Sequence, residues 1–274
     1  KQAGERLKAE LESSCSETAS EEFQCSRDAF LYFIRYFSIS YLGAFICLIA
    51  SGYWTILAAI LTSFGCIMAI CEFVFYKEFV DPFFKKTDGY NISGTIEPSG
   101  EVQQSIIISG HYDSPHVFRF LNKNQKLYKF RILLTLFLYF FITAISLWAS
   151  YVWLTQPTSF TINQFLIFIM GGGLILMLQY FFFVSWDVSP GAGDNLISSA
   201  MALRLADHFS NLNLKHTRLI FLCPDAEESG LRGAREYVKL HRETLQSIST
   251  YNINMDSIYR LQDLCFLKSE INGT

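Results

Sequence analysis

The chain has 274 residues, which is enough for one substantial α/β domain or for a smaller domain with several membrane helices. Hydrophobic residues make up 51% of it, phenylalanine occurs 26 times, and only 17% of the residues are charged, which excludes an ordinary soluble domain. The formal net charge of −3 argues against a nucleic-acid partner, and the composition leaves the oligomeric state unknown.

The first predicted elements are a helix, a strand and two apolar runs. Helical spacing covers Glu5 to Leu11, and Ser16 to Phe23 could form the strand that follows. The runs lie near Ala29–Ala50 and Gly52–Tyr76, and each approaches the roughly 20 residues that cross a bilayer. Because the connection between them is short, they are expected to form a tight hairpin. Arg35 lies inside the first run, where a charge is costly unless it reaches the interface or a partner.

Two short β-rich segments follow this hairpin. They cover Asn91–Ile96 and Ser105–Ser109, and the turn-forming residues Glu97–Gly100 separate them. Two such segments with a turn between them predict a pair of neighbouring strands.

A second pair of apolar runs spans Leu133–Trp153 and Thr161–Val184, joined by the turn-like stretch Thr155–Ser159. If all four runs were buried core helices, a chain of this size would have too little polar surface to cover them. We therefore predict a multi-pass integral membrane protein with transmembrane hairpins at 29–76 and 132–184, and membrane lipid as a partner.

The rest of the chain alternates helices with strands: helix Leu196–Phe209, strand Arg218–Leu222, helix Gly230–His241, and strand candidates Thr250–Met255 and Leu264–Leu267. This alternation predicts an α/β fold, with a mostly parallel or mixed sheet and helices on both faces. The expected domain is discontinuous, made of 1–28, 77–131 and 185–274. Because the chain stops just after a strand-like segment, we expect this domain to be incomplete at its carboxyl end.

One histidine and several acidic residues stand at the ends of predicted elements. These are His111, the adjacent Glu227 and Glu228, and Asp256, each after a strand, and Asp194 at the start of a helix. Ligands of open α/β sheets bind beyond the carboxyl ends of the strands, so these side chains are expected to meet. An imidazole with several carboxylates suits a cation such as zinc.

Each of these residues has a simpler interpretation when taken alone. Asp194 could cap a helix, and Asp256 could merely end a strand. The pair Glu227 and Glu228 could be a solvated acidic patch, and His111 a loop histidine. The ordered combination is harder to explain in this way, and it favours a metal site.

Four segments resemble the co-catalytic zinc peptidases of clan MH, which include bacterial leucyl aminopeptidases, glutamate carboxypeptidases and glutaminyl cyclases. The segments are HYDSP at 111–115, PGAGDN at 190–195, AEESGLRGA at 226–234 and NINMD at 252–256, and they occur in the family's order. The resemblance implies a zinc aminopeptidase-like fold.

The resemblance also implies a set of metal ligands. His111 and Asp256 would bind one zinc ion, Glu228 would bind a second, and Asp194 would bridge the two, giving two zinc ions in the complete protein. The family often has a cis peptide bond after the bridging aspartate, which here is the bond between Asp194 and Asn195.

Two further roles come from the same resemblance. Glu227 is the implied general base, and Asp113 is the carboxylate that orients the imidazole of His111. The family's last ligand is a histidine well beyond the position of Asp256. No histidine of this chain matches it, so we expect it to follow Thr274.

The leading functional hypothesis is a zinc-dependent aminopeptidase that hydrolyses peptide substrates near the membrane. Two alternatives remain open: a glutaminyl cyclase with a single zinc ion, and a non-catalytic membrane module on a peptidase scaffold. The catalytic side is predicted to be cytoplasmic, because basic residues flank the runs on that side while the hairpin tips have none. The glycosylation sequons at Asn91 and Asn272 argue the other way.

Overall fold

The computed structural model describes residues 1–123, 125–156, 162–260, 262 and 264–267. The strands are β1 Glu17–Cys25, β2 Thr87–Ile96, β3 Gln104–Ser109, β4 His116–Phe118, β5 Val184–Val188, β6 Thr217–Cys223 and β7 Ser249–Asn254. The α-helices are α1 Gln2–Glu12, α2 Tyr32–Ala50, α3 Trp54–Ala69, α4 Arg119–Lys123, α5 Gln125–Thr155, α6 Gln164–Phe181, α7 Ile197–Ser210, α8 Arg232–Leu240 and α9 Arg242–Ser247.

The chain divides into two compact units, and it passes between them four times. The α/β unit consists of Lys1–Cys25, Thr87–Pro115 and Ser189–Thr274. The helical unit consists of Ser26–Lys86 and His116–Val188, so it contains residues 77–86 and 116–131 in addition to the four apolar runs.

A five-stranded mixed sheet in the order β1-β2-β6-β3-β7 forms the centre of the α/β unit. The strands β6, β3 and β7 are parallel, while β1 and β2 form an antiparallel edge. Helices cover both faces, as predicted. The residues of β6 alternate between these two faces. Leu219 and Phe221 pack in the core beside α1 and α7, whereas Ile220 and Leu222 pack on the other face with Tyr237 of α8.

Two predictions about this sheet were wrong. The segments now assigned to β2 and β3 are not neighbours, because β6 pairs with both of them and lies between. The stretch between β2 and β3 does turn, but it lies against the residues that lead into β6. There the backbone N–H groups of Ser99 and Gly100 donate hydrogen bonds to the carbonyls of Leu214 and Lys215. Residues Leu264–Leu267 form no strand. The sequence also predicts a turn at Asn272-Gly273 after this segment, and those two residues lie outside the described part of the chain.

Among its described residues, the helical unit contains four helices that are long and apolar enough to cross a membrane: Tyr32–Ala50, Trp54–Val74, Gln125–Thr155 and Gln164–Phe181. The second of these ends in a π-helical turn at Ile70–Val74. The four predicted apolar runs are thus confirmed as helices, although the stretch Pro157–Thr161 between the last two lies outside the described residues. The third of these long helices, α5, begins at Gln125 and not at Leu133 as predicted, because the basic residues ahead of the apolar run are good helix formers.

Polar groups of the helical unit point inward. The Tyr41 hydroxyl donates to the Met170 carbonyl at 3.0 Å, and the Ser38 hydroxyl donates to the Met177 carbonyl at 2.6 Å, so both link α2 to α6. Large apolar side chains point outward instead, including Phe168, which is 80% exposed. Arg35 stacks on the indole of Trp186 with its guanidinium carbon 4.1 Å from the ring centre, which gives the charge a partner. This arrangement of polar inside and apolar outside is typical of membrane helix bundles.

Candidate metal centre

Three neighbouring parallel strands place the candidate ligands at one edge of the sheet. β3 runs into His111, β6 into the loop with Glu227 and Glu228, and β7 into Asp256. Parallel strands end on the same side, so these loops meet there. The start of α7 closes the site, because the Ser199 hydroxyl donates to the carbonyls of Gly110 and His111 at 2.8 and 3.0 Å.

Gly110 allows this close approach of α7. A Cβ atom at position 110 would lie 2.6 Å from the Cβ of Ser198 and 2.7 Å from its carbonyl carbon. Since such distances are too short for real Cβ contacts, only glycine fits beside the helix. The sequence analysis did not identify this requirement.

The imidazole of His111 is the centre of the cluster. Its Nε2 atom lies 3.4 Å from Asp194 Oδ1, 3.6 Å from Glu227 Oε2 and 3.8 Å from Asp256 Oδ1. Glu228 belongs to the same cluster, since it offers a carboxylate oxygen within 4.8 Å of ligand atoms of His111 and Asp194. The structure therefore brings together every residue that the sequence analysis named as a metal ligand.

Asp113 connects His111 to the loop of the two glutamates. Its Oδ1 atom lies 3.3 Å from His111 Nδ1. The same carboxylate accepts hydrogen bonds from the backbone N–H groups of Glu227 and Glu228, both at 3.1 Å. One side chain thus fixes both the orientation of an imidazole and the position of two neighbouring carboxylates.

The residues fit a metal ion. His111 is only 2% exposed, and neither of its ring nitrogens makes a well-formed hydrogen bond to any described residue. An imidazole buried in this way is costly unless Nε2 has a ligand. The surrounding atoms are carboxylate oxygens, which together with imidazole nitrogen are the donors that zinc takes in hydrolytic sites.

The electrostatics of the cluster also indicate a cation. Burial opposes protonation of His111, but the carboxylates of Asp113, Asp194 and Asp256 outweigh it and raise its pKa to about 12. Burial and the neighbouring acids raise the pKa of Glu227 to about 7 and that of Glu228 to about 8. Contact with His111 lowers the pKa of Asp256. Without a cation, the cluster therefore retains protons that its acids would ordinarily lose.

The side chain of Asn195 has a structural role that no pattern in the sequence indicates. Its side chain is fully buried, donates to the Met255 carbonyl at 3.0 Å and accepts from the Ser257 N–H at 3.2 Å. It also accepts from the Ser198 hydroxyl. The peptide bond between Asp194 and Asn195 is cis, as the resemblance implied. Asn195 thereby ties the loop of Asp194 to the loop of Asp256.

Tyr259 is a further residue whose place at the site no pattern in the sequence indicates. Its ring lies against Gly193, where a side chain would collide with it. Burial, followed by the charges of Asp194, Asp256 and Glu228, raises the pKa of its hydroxyl. Tyr259 therefore forms part of the immediate surroundings of the carboxylates.

Comparison with known proteins identifies part of this site. Residues 183–272, about a third of the chain, match the model of peptidase family M28. Over this segment the chain is similar to the peptidases of family M28. It contains Asp194, Glu227, Glu228 and Asp256, and the family generally binds zinc. The resemblance to clan MH zinc peptidases is confirmed by this match. His111 lies outside the M28 segment, so its place in the cluster is a separate finding of the structure.

Two other comparisons add little. No curated protein matches the chain. A solved structure of a glutaminyl cyclase from Fimbriiglobus ruber is similar over 93% of the chain with 10% identity and a TM-score of 0.42. The chain spans about half the length of that protein, since the similarity covers 52% of it. At this TM-score the likeness decides neither fold nor function.

Proposed function

We propose that the chain carries the active site of a membrane-embedded zinc aminopeptidase. The observation that carries the proposal is the position of His111, which comes from outside the M28 segment and lies within 4 Å of three of its acids. His111, Asp194, Glu228 and Asp256 would hold the metal, which we propose to be two zinc ions. Bound zinc would supply a more acidic water and polarise the scissile carbonyl.

The remaining residues have distinct tasks in this proposal. Glu227 takes the proton of the attacking water and delivers it to the leaving amine, which its place beside His111 and Asp256 allows. Asp113 keeps the imidazole of His111 oriented and holds the two glutamates through their backbone N–H groups.

The charge of the site favours the amino end of a peptide as substrate. The cluster has five carboxylates, namely Asp113, Asp194, Glu227, Glu228 and Asp256. Five carboxylates against two divalent ions leave one net negative charge. Such a site attracts the α-ammonium group of a peptide and repels a terminal carboxylate.

An activity assay on the full-length protein in detergent tests the proposal. A panel of aminoacyl nitroanilides should be hydrolysed, a chelator should stop the reaction, and zinc should restore it. A peptide that begins with glutamine serves as the parallel probe for a cyclase. Cyclisation of that peptide without hydrolysis of the panel would replace the proposal with a cyclase, and no turnover of either would replace it with a non-catalytic module.

We also propose that the four apolar helices span the membrane with the catalytic side in the cytoplasm. The basic residues next to the helices support this orientation. The sequon at Asn91 does not count against it, because Asn91 is 2% exposed and its side chain donates to the Gly233 carbonyl and accepts from the Asp225 N–H. The sequon at Asn272 lies outside the described residues.

Cys265 provides a direct test of the orientation. Its side chain is an exposed free thiol in the α/β unit. A maleimide that cannot cross membranes should label Cys265 only after the cells are permeabilised, with Cys265→Ser as the control. Labelling of Cys265 in intact cells would place the catalytic side outside.

A further inference from the structure

The helical unit contains an apolar cavity that none of the preceding functions uses. It has a volume of about 550 Å³, within the range of small-molecule sites, and it is partly open to the surface. Its wall is built almost entirely from aliphatic and aromatic side chains, and Lys129 is the one charged residue among the described residues that line it. An apolar space of this size destabilises a bundle if it stays empty, so it calls for an apolar occupant.

All four long helices contribute to the cavity at the same end of the bundle. The wall includes Ile34 at the start of α2, the π-helical turn Ile70–Val74 that follows α3, Lys129 at the start of α5, and Tyr180 at the end of α6. Neighbouring helices run in opposite directions, so these starts and ends lie at one level. The cavity therefore begins where the spans leave the apolar layer.

The depth of the cavity matches one leaflet of a bilayer. Along α5 the wall extends from Lys129 to Phe140, and eleven residues of α-helix rise about 16 Å. Half of a hydrocarbon core about 30 Å thick is about 15 Å. A single acyl chain that enters at the polar end would end near the middle of the membrane.

A basic segment of the chain lies beside the polar end of the cavity. Residues 119–131 contain five basic side chains and no acidic one: Arg119, Lys123, Lys126, Lys129 and Arg131. Lys129 lines the cavity and is exposed, while Arg131 stacks on Phe120 with its guanidinium carbon 5.1 Å from the ring centre. A basic cluster directly beside a membrane span attracts anionic lipid headgroups.

We propose that this cavity is a binding site for one acyl chain of an anionic phospholipid, whose headgroup pairs with Lys129. The π-helical turn supports the assignment, since it places Ile70, Phe73 and Val74 on the wall, and π-helical turns are frequent at functional sites. The proposal depends on the membrane location given above but not on peptide hydrolysis, so the two can fail separately.

Photo-crosslinking tests this site. The full-length protein in phosphatidylcholine nanodiscs is given a trace of phosphatidylglycerol with a diazirine in its acyl chain, and labelled peptides are mapped by mass spectrometry. Label should concentrate on the wall segments of α2 and α5. Unlabelled phosphatidylglycerol should reduce the labelling about fivefold more effectively than phosphatidylcholine, because one basic residue near an anionic headgroup has an effect of about this size.

Matched variants give the test its controls. Leu136→Trp and Ala69→Phe should fill the cavity and remove the concentrated label. Leu147→Trp, on an exposed face of α5, should keep the label. Lys129→Gln should abolish the preference for phosphatidylglycerol, and Lys126→Gln should largely preserve it.

Three results would overturn the proposal. One is label spread evenly over the exposed faces of the helices. Another is equal competition by the two lipids, which would assign the cavity to neutral lipid. A third is unchanged labelling in a filling variant that elutes as a folded protein. If both filling variants fail to fold, Lys129→Gln still decides, because that side chain is exposed.

Discussion

The two units of the molecule use the same residue types in opposite ways. In the α/β unit, Phe221 is fully buried between the central sheet and its helices. In the helical unit, Phe168 is 80% exposed, while the hydroxyls of Ser38 and Tyr41 are buried and bonded to neighbouring helices. A hydrophobic side chain therefore indicates the interior of a unit only where water surrounds that unit.

The largest effect is expected at the polar site of the α/β unit. Glu227→Gln keeps the size of the side chain but removes its ability to take a proton, so kcat should fall by about 10²- to 10⁴-fold. Zinc content, measured by mass spectrometry of the metal, should stay nearly unchanged. Glu236→Gln, which alters a partly exposed acid of α8 that pairs with Lys239, is the matched control. Parallel loss of zinc and activity would make Glu227 a ligand instead of the base.

Core packing gives the sharpest contrast between the units. Phe221→Ala should lower the free energy of unfolding of the α/β unit by about 3–5 kcal/mol, because it empties a closely packed space. The rate at which a maleimide labels the buried thiol of Cys223 measures opening of this unit, and the buried thiol of Cys47 reports on the helical unit. Equal acceleration at both thiols would show that the two units unfold together.

Asp113→Asn tests the link between His111 and the loop of the glutamates. The amide can still accept one of the two backbone hydrogen bonds, but it no longer supplies a charge beside Nδ1. Zinc affinity should fall by about 10- to 100-fold, as measured by competition with a chromogenic chelator. An unchanged affinity would mean that Asp113 contributes only to loop structure.

The metal-free site predicts how stability depends on pH. In the folded state, Glu227 has a pKa of about 7 and Glu228 a pKa of about 8. In the unfolded chain both carboxyl groups have a pKa near 4.5, so they lose their protons at a lower pH. The pKa of His111 is also raised, so this residue too lowers the stability of the folded state as the pH rises above 6.5. In chelator, the melting temperature should therefore fall as the pH rises from about 5 to about 8.

Zinc should remove this pH dependence, since it replaces the retained protons as the source of positive charge. Circular dichroism melts with and without the chelator measure the difference. A melting temperature in chelator that stays constant or rises over the same interval would contradict the charge balance of the cluster.

The smallest effect is expected on the outward face of the helical unit. Phe168→Ala removes a ring that contacts solvent or lipid, so the free energy of unfolding should change by about 0.5 kcal/mol or less. All four tryptophans lie in this unit, which makes indole fluorescence a suitable probe. A loss as large as that for Phe221→Ala would remove the distinction between the units.

Much of the molecule could be predicted from local patterns. The four apolar runs exceed the length of ordinary core segments, and they form the four long helices. The strand β6 and the helix α7 follow from periodicity, and the ends of β3, β6 and β7 bring His111, Glu228 and Asp256 together. Positions at strand ends are readable because parallel strands must finish on one side.

Apart from the strand predicted at Leu264–Leu267, the failures concern tertiary structure. The order of strands in the sheet depends on which pairing buries the most apolar surface, so a turn between β2 and β3 could not show that β6 separates them. The role of Asn195 depends on Met255 and Ser257, sixty residues later in the chain, and no local pattern indicates those contacts.

The place of β6 between β2 and β3 has a consequence for synthesis on the ribosome. β3 ends at Ser109, but its two neighbours, β6 and β7, are completed only at Cys223 and Asn254. At the usual rate of translation, roughly 6–20 s pass before β6 exists. Throughout that interval the isoleucines of β3 have no partner strand, while the second apolar hairpin is being made. Nascent chains arrested before β6 should therefore depend on a chaperone, and those arrested beyond β7 should not.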